Sequence, residues 1–421
     1  MDILLIADGR SPTTRRWLNS LLSGGYHVGL ISSFPCQPLP GLAKMAVIPV
    51  AFSQFAGAVP AINVGQAKHP VGVQGLPHNS SKTKQPAGLR QIVGRFRGVF
   101  LAGRYWLGPL SVIYYAGQVR RLIEEWQPTL VHALRIPFEG MLASFAPPEV
   151  PLIVSIWGND LTLHARGSAG MGRLTMRCLR RAAGLMADAR RDLRLAELWG
   201  FDPAKPRLAL PGSGGINLAE INAILTDGSL MEGLALPAGS PLVINPRGFR
   251  PGSVRNDTFF QSIPLVLAQR PETIFACPAM AGQPEALRWV QRMDIAAAVR
   301  LLPVIPQRQL WTLFKGAAAC VSPSAHDGTP NTLLESMACG SFPIAGDIES
   351  LREWITPGVN GLLIDPADPA HLASAILQAI SSPTLRQQAA KINAGIIASR
   401  ADASQIKDQI KGFYHSFGLP N

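Results

Sequence analysis

The sequence predicts an α/β protein of two doubly wound, Rossmann-like domains facing an interdomain cleft. Three observations carry this. The chain has 421 residues, too many for one ordinary core and suited to two of roughly 200. In each half, short Val/Ile/Leu runs alternate with longer amphipathic stretches, the pattern of strands feeding crossover helices in a parallel sheet. That pattern lapses near residues 214–239, where a link between domains is expected.

In the first half, strands are expected over 3–7, 27–32, 45–50, 129–133, 152–156, 184–187 and 207–210. Helices are expected over 13–22, 112–126, 138–145, 172–181 and 191–198. The second half reads as strands over 242–245, 273–276, 299–301, 318–322, 341–345 and 361–364. Its helices are expected over 257–268, 284–293, 307–315, 332–339 and 369–380. The division is therefore 1–215, a linker over 216–240, 241–400, and a last helix within 401–421 that packs back on the first domain. Sheets of this class bind ligands beyond the carboxyl ends of their strands, so two facing units place a cleft there.

Composition narrows the class. Hydrophobic residues make up 47% and charged residues 16%, a soluble globular balance. No run of 18 apolar residues occurs, and the start, MDILLIADGRSPTTRRW, reads as a buried strand rather than a leader. A cytoplasmic protein is expected. Cys36, Cys178, Cys277, Cys320 and Cys339 are scattered without a Cys-x-x-Cys, so buried thiols are expected rather than disulfides or zinc.

The formal charge of +12 is unevenly placed. Residues 1–215 hold 24 Lys and Arg against 11 Asp and Glu, and the remainder holds 15 against 16. The first half therefore calls for an anionic partner. No nucleic-acid recognition motif is present, so no specific nucleic acid is expected. An insert over about 52–110 separates the third strand from the next helix. Its first part, 57–88, is rich in Gly, Pro, Ser, Lys and Asn and reads as a loop. The stretch from Arg90 to Trp106 interleaves Arg90, Arg95, Arg97 and Arg104 with Phe96, Phe100, Tyr105 and Trp106. It is expected to meet an anionic membrane surface, at the inner face, or a lipid-linked acceptor. Its glycines leave packing inside the domain as the competing expectation.

The most informative segment is SPSAHDGTPNTLLESMACGSFPIAGD, residues 322–347. A strand ends near Ser322, a turn follows, and a helix begins near Asn331. The amides of Asn331, Thr332 and Leu333, after Gly328 and Pro330, would meet an anion at the helix start. Glu335, one turn in, could reach past phosphates to a sugar's vicinal hydroxyls, and Asp327 would face the ligand's other end. A plain Asp-Gly turn with a solvated Glu fits the spacing equally.

This segment resembles the acidic E-x7-E signature of retaining glycosyltransferase family 4, whose fold is GT-B. Here Asp327 stands first and Glu335 second, followed by Ser-Met-Ala-Cys-Gly. The stretches LLIADGRSPTTRRWLNSLLSGGYHVGLIS, MADARRDLRLAELWGFDPAKPRLALPGSGGIN and GDIESLREWITPGVNGLLIDPADPAHLASAI also resemble the family, so the likeness spans most of the chain outside the insert. It implies an N-terminal acceptor-binding domain and a C-terminal donor-binding domain. The donor is a nucleotide-diphosphate sugar, UDP-sugar by family frequency, and the acceptor a glycan, a lipid-linked or a small molecule. No cofactor is implied. Glu335 is implied at the ribose and Asp327 at the donor sugar. Asp in place of Glu shortens the reach at 327, and Thr329-Pro330-Asn331 departs from the commoner Phe-Gly-Leu.

After the strand 242–245 comes NPRGFRPGSVRND. The family's diphosphate clamp is an Arg and, five residues later, a Lys. Arg247 matches the first, Gly252 stands at the second, and Arg250 or Arg255 would have to substitute. Such cations offset the charge of a departing diphosphate. Gly9, in Asp8-Gly9-Arg10-Ser11, could admit the diphosphate from the opposite domain or merely shape a capping turn. In SIWGNDL, Trp157 stands at the family's usual His and suits stacking on a sugar face. Asp160 reads as an acceptor base or as a helix cap. His132 reads as a satisfied strand-end histidine, while His164 and His326 carry no assigned role.

With no Asp-x-Asp, no metal is expected. The resemblance implies front-face displacement in which the leaving phosphate assists deprotonation of the acceptor. The departures at Gly252 and Trp157 leave two alternatives open. One is a non-catalytic sugar-nucleotide-binding protein, and the other a GT-B epimerase or phosphorylase.

Overall fold

The computed structural model describes residues 1–51, 53–55, 97–211, 214–224 and 239–419. Two wholly parallel sheets organise them. The first contains β1 (Ile3–Ala7), β2 (Val28–Ser32), β3 (Lys44–Val47), β4 (Leu130–Ala133), β5 (Leu152–Ile156), β6 (Gly184–Ala187) and β7 (Arg207–Ala209), in the order β3-β2-β1-β4-β5-β6-β7. The second contains β8 (Leu242–Ile244), β9 (Ile274–Cys277), β10 (Val299–Leu301), β11 (Ala319–Ser322), β12 (Phe342–Gly346) and β13 (Leu362–Ile364), in the order β10-β9-β8-β11-β12-β13. In both sheets the order reverses beside the first strand. That switch point, between β1 and β4 or between β8 and β11, is where such a sheet opens a crevice.

The strands lie within a few residues of their expected positions because helices cover both faces. β1, β2 and β5 are buried at every residue, which requires the unbroken apolar runs that the sequence displays. The helices of the first half are α1 (Pro12–Ser23), α2 (Arg97–Trp126), α3 (Ala169–Arg181) and α4 (Arg190–Leu198). Those of the second are α5 (Asn256–Leu267), α6 (Pro284–Arg292), α7 (Gln307–Gly316), α8 (Asn331–Ala338), α9 (Pro369–Ser381), α10 (Pro383–Arg400) and α11 (Ala403–His415).

Three elements depart from expectation. α2 begins at Arg97 rather than near 112, so part of the insert is helix. Arg90, Arg95 and Phe96 lie outside the described residues, as does the loop expected over 57–88. The helix expected over 138–145 is instead a turn, Ile136–Gly140, and a short helix, Met141–Ala143. Pro137 is extended and Phe138 sits at φ 70°, ψ −51°, values that interrupt a helix. α10 was not expected. Its buried positions are only Ala389, Asn393 and Ile397, so no large apolar stripe betrays it.

α11 returns to the first sheet. Ile406, Ile410, Phe413 and Tyr414 share a core with Ile3, Leu5 and Trp17. The two chain crossings between halves are bonded to each other, Ile216 N to Ala401 O at 2.7 Å and Ala403 N to Ile216 O at 3.0 Å. Beneath α11, His132 meets the Tyr414 hydroxyl at 2.7 Å through Nδ1 and the Ser155 hydroxyl at 2.9 Å through Nε2. Trp17 Nε1 donates to the same Tyr414 oxygen at 3.1 Å. Burial holds the His132 pKa down to about 3, so the ring is neutral. It is the satisfied core histidine of the sequence reading.

Tyr414→Phe removes a hydroxyl that serves both Trp17 and His132 in a dry core. It should lower stability by about 1–3 kcal/mol in urea unfolding. An unchanged midpoint would contradict the anchoring role of this network.

Candidate functional site

The loops beyond β8 and β11 form one wall of the cleft. Asn245, fully buried, accepts the Arg247 amide at 3.2 Å and donates to Asn256 Oδ1 at 3.0 Å. Asn256 in turn donates to Gly248 O at 3.0 Å. These two amide side chains fix the turn that aims Arg247. The buried Arg247 guanidinium ion-pairs with Asp327 and donates to Thr332 Oγ1 at 3.1 Å, while its Nε has no partner. Asp327 also accepts from Ser324 Oγ at 3.0 Å and from the Gly328 amide at 3.1 Å.

Arg250 is exposed, and its Nε donates to the Arg247 carbonyl at 3.1 Å. The charge of Arg247 lowers the Arg250 pKa, as two neighbouring cations require. Arg255, the other substitute weighed for the missing Lys, is instead forked onto Asp257 at 2.9 and 2.7 Å. Gly252 has φ 85°, so a lysine there would strain the backbone.

At the start of α8 the Leu333 amide donates to Pro330 O at 3.0 Å, and its side chain is buried. Leu333 is thus turned into the helix rather than toward an anion. The amides of Asn331 and Thr332 remain as the donors of this terminus. Glu335 is buried and accepts from Gln307 Nε2, at the start of α7, at 2.8 Å. Burial pushes its carboxyl up to about 7, offset in part by the Gln307 bond and by Arg16 of α1 from the opposite half.

The facing wall belongs to the first domain. The Gly9 amide donates to Ser32 Oγ at 3.0 Å, and a Cβ there would lie 2.5 Å from Cys36 Sγ. The Gly9 amide is therefore spent on β2 and is not turned to a ligand. Asp160 is not placed as a base. Its carboxylate has no exposed surface, receives Arg135 at 2.6 Å, and accepts the amides of Ile136 at 3.1 Å and Trp157 at 3.2 Å. A carboxylate so occupied orients Trp157 and Arg135. Trp157, half-buried, lines a cavity of about 330 Å³ together with Arg10, Arg104, Arg135 and His164. His164 Nδ1 meets the Tyr105 hydroxyl at 2.8 Å, and burial lowers its pKa to about 4. His326 contributes its backbone amide to Ser253 O at 3.2 Å.

Between the walls the loops touch. A Cβ on Gly158, at φ 46°, would lie 2.8 Å from the Gly328 nitrogen of the other half, and one on Gly328 would lie 2.3 Å from Asp188 Oδ1. The Thr329 hydroxyl donates to the Asp188 carbonyl. Arg191 donates to Gly158 O at 2.7 Å and to Ser350 Oγ at 3.2 Å, and Ser350 donates to Asp327 O at 2.8 Å. Glu353 caps α4 across the seam, accepting the amides of Arg190 at 3.0 Å and Arg191 at 2.9 Å. Asp188 is half-buried, and its carboxyl is raised by burial, then by Asp192 and Asp327. Sequence reasoning missed Asp188, Arg191 and Glu353. The only signal was an Asp at a strand end before a helix.

The chain matches the family model described as "Glycosyl transferases group 1" over residues 250–382 and "Glycosyl transferase 4-like domain" over residues 12–212. It is similar to D-inositol 3-phosphate glycosyltransferases of Thermomonospora curvata (26% identical over 68% of this chain and 64% of that protein) and Thermobispora bispora (28% over 70% and 65%). It thus spans just under two thirds of the length of these relatives. Its fold is like that of sucrose-phosphate synthase from Thermosynechococcus elongatus (TM-score 0.70, 15% identity, 99% of each chain). It is also like that of Anabaena Alr3699/HepE in complex with UDP-glucose (TM-score 0.67, 15% identity, 99% of this chain and 100% of that one). The likeness is one of fold, the GT-B arrangement of two parallel sheets.

The Glu335 environment predicts a pH dependence. Its carboxyl rises from 4.5 to about 7 on folding, so the folded state holds the proton more tightly. Stability should then fall as pH rises from about 4.5 to 7, by on the order of 1–3 kcal/mol. Glu335→Gln should flatten this limb in urea titrations at stepped pH. Parallel curves for the two proteins would contradict the assignment.

Proposed function

The chain belongs to the family 4 glycosyltransferases, and on that premise we propose that it transfers a sugar from a nucleotide-diphosphate sugar to an acceptor in the first domain. The observation that carries the reading is the cluster of Arg247, Asp327 and Thr332 at the start of α8, with Glu335 buried one turn behind. Arg247, Arg250 and the amides of Asn331 and Thr332 would meet the diphosphate, Glu335 the ribose hydroxyls, and Asp327 the donor sugar. UDP is the favoured nucleotide, a reading supported by the UDP and UDP-glucose complexes of the Anabaena neighbour.

Charge accumulates on the diphosphate as its bond to the anomeric carbon breaks. Two cations and a helix terminus offset that charge without a metal ion in the scheme. In the retaining course, the acceptor hydroxyl bonds to the anomeric carbon on the face the phosphate leaves. Its proton passes to the departing phosphate oxygen. Trp157 supplies a ring face for a sugar, and Asp160 holds that ring's backbone in place.

A membrane-linked acceptor has its own support. α2 exposes Trp106, Leu107, Leu110, Ile113 and Tyr114, an apolar stripe at helical spacing. Arg104 and Tyr105, expected at the same surface, turn instead to the cavity. Among the described residues no helix is long and apolar enough to cross a membrane, so any such contact would be peripheral. Acceptor-dependent release of nucleoside diphosphate would separate transfer from the epimerase, phosphorylase and sensor alternatives.

Glu335→Gln and Arg247→Ala should each weaken UDP-glucose binding by roughly tenfold to over a hundredfold, from lost charge-assisted bonds of ~1.5–3 kcal/mol. Calorimetry reads this directly, and wild-type affinity should persist in EDTA. Undiminished binding in both folded variants would refute the donor site.

A further inference from the structure

The cavity of about 330 Å³ in the first domain holds three arginines that the donor assignment leaves unused. Arg10 follows β1, Arg104 lies on α2, and Arg135 follows β4, so three separate elements bring them to one place. We propose that this cavity receives an anionic, phosphate-type group of the acceptor, gripped chiefly by Arg104 and Arg135. The proposal rests on the transfer reading above and names the acceptor class that reading leaves open.

Arg104 is held by rings rather than by a carboxylate, Arg10 by a ring and by Asp8, and Arg135 by Asp160. Arg10 Cζ lies 3.7 Å and Arg104 Cζ 5.7 Å from the centroid of the same Phe34 ring, and Arg104 lies 4.7 Å from that of Phe138. Stacking fixes a guanidinium while leaving its edge N–H groups uncommitted. Arg104 forms no ion pair or hydrogen bond with a described residue; the nearest acid that acts on it, Glu139, does so only through space. Glu139 is bonded to Ser33, and burial raises its pKa, which lessens the negative charge it can offer Arg104. Arg135 spends one nitrogen on Asp160 at 2.6 Å, while its Nε is enclosed without a partner.

Two further features point the same way. Ser11 and Thr14, at the start of the 12-residue α1, line the cavity, and the first turn of that helix carries no acidic residue. Phe138 is held at φ 70°, a strained conformation for an aromatic residue, and the strain sets its ring against Arg104. A neutral glycan would want open carboxylates and amides. Here Asp8 is forked by Arg10 at 3.1 and 3.0 Å and Asp160 is enclosed, whereas the guanidinium donors suit a tetrahedral oxyanion.

Calorimetry on the full chain tests this with inorganic phosphate and glycerol 3-phosphate against glycerol, each repeated with Arg104→Gln, Arg104→Lys and Arg247→Ala. Arg104 bonds to no described residue, so its replacement strands no buried partner among them. Both anions should bind and glycerol should not. Measured in the Arg247→Ala background, which removes the donor-site cation, Arg104→Gln should weaken the anions at least about tenfold, and Arg104→Lys less. Phosphatidylglycerol and phosphatidylcholine vesicles distinguish the sources. Arg104-dependent binding confined to phosphatidylglycerol would assign the group to a lipid headgroup, and binding of soluble glycerol 3-phosphate to a free phosphate ester. Anion binding indifferent to Arg104, equal binding of glycerol, or no binding of any anion or vesicle would overturn the proposal. UDP titrated into the same wild-type sample reads the donor assignment on its own, so failure of one reading is told from failure of the other.

Discussion

Everything in the cleft depends on how closely two loops pass. Gly158, after β5, meets the Gly328 backbone of the other half, and Gly328 lies on the Asp188 carboxylate. A side chain at Gly158 would meet backbone, and one at Gly328 would have to displace the Asp188 carboxylate. This contact lets the turn carrying Asp327 approach the first domain, and Ser350, Arg191 and Glu353 then lock the approach with bonds that cross the seam. Asp188, Asp192 and Asp327 converge here, so like charges would drive the halves apart if all were ionised. Burial and mutual repulsion keep Asp188 toward its protonated form, which removes part of that penalty.

The cleft divides its chemistry by wall. On the second-domain wall Arg247 is aimed by Asn245 and Asn256, Arg250 donates to its carbonyl, and α8 adds two amides, the group proposed to meet a departing anion. Glu335 stands apart from them, buried one turn into α8, with its carboxyl raised to about 7 by burial. The first-domain wall is assembled differently. Arg10 and Arg104 lie on aromatic rings, and Asp160 works from behind, orienting Arg135 and Trp157 without reaching the cavity.

Much of this was legible in the sequence, and what was not has a physical pattern. Parallel strands buried on both faces must be continuous Val/Ile/Leu runs, so β1, β5 and β6 could be read to the residue. Asp327, Arg247 and Glu335 lie within local motifs whose spacing carries the chemistry. Residues joined only by tertiary contact left no such trace. Arg10, Arg104 and Arg135 are far apart in the chain, and nothing local announces that they share a cavity. Asp160 looked available because its partner Arg135 lies 25 residues away. Gly9 looked like a phosphate loop because Ser32, which takes its amide, is remote in sequence. α10 escaped notice because alanine and asparagine face its core.

The central claim is that the glycine contact sets the distance between the two halves. Solution X-ray scattering of Gly158→Ala tests it most directly, with Gly117→Ala, whose added methyl meets open space, as control. The new methyl would press on a backbone nitrogen, which cannot yield as a side-chain tip could. The account predicts that Gly158→Ala has a larger radius of gyration than wild type and that Gly117→Ala does not. Superimposable profiles for all three proteins would contradict it.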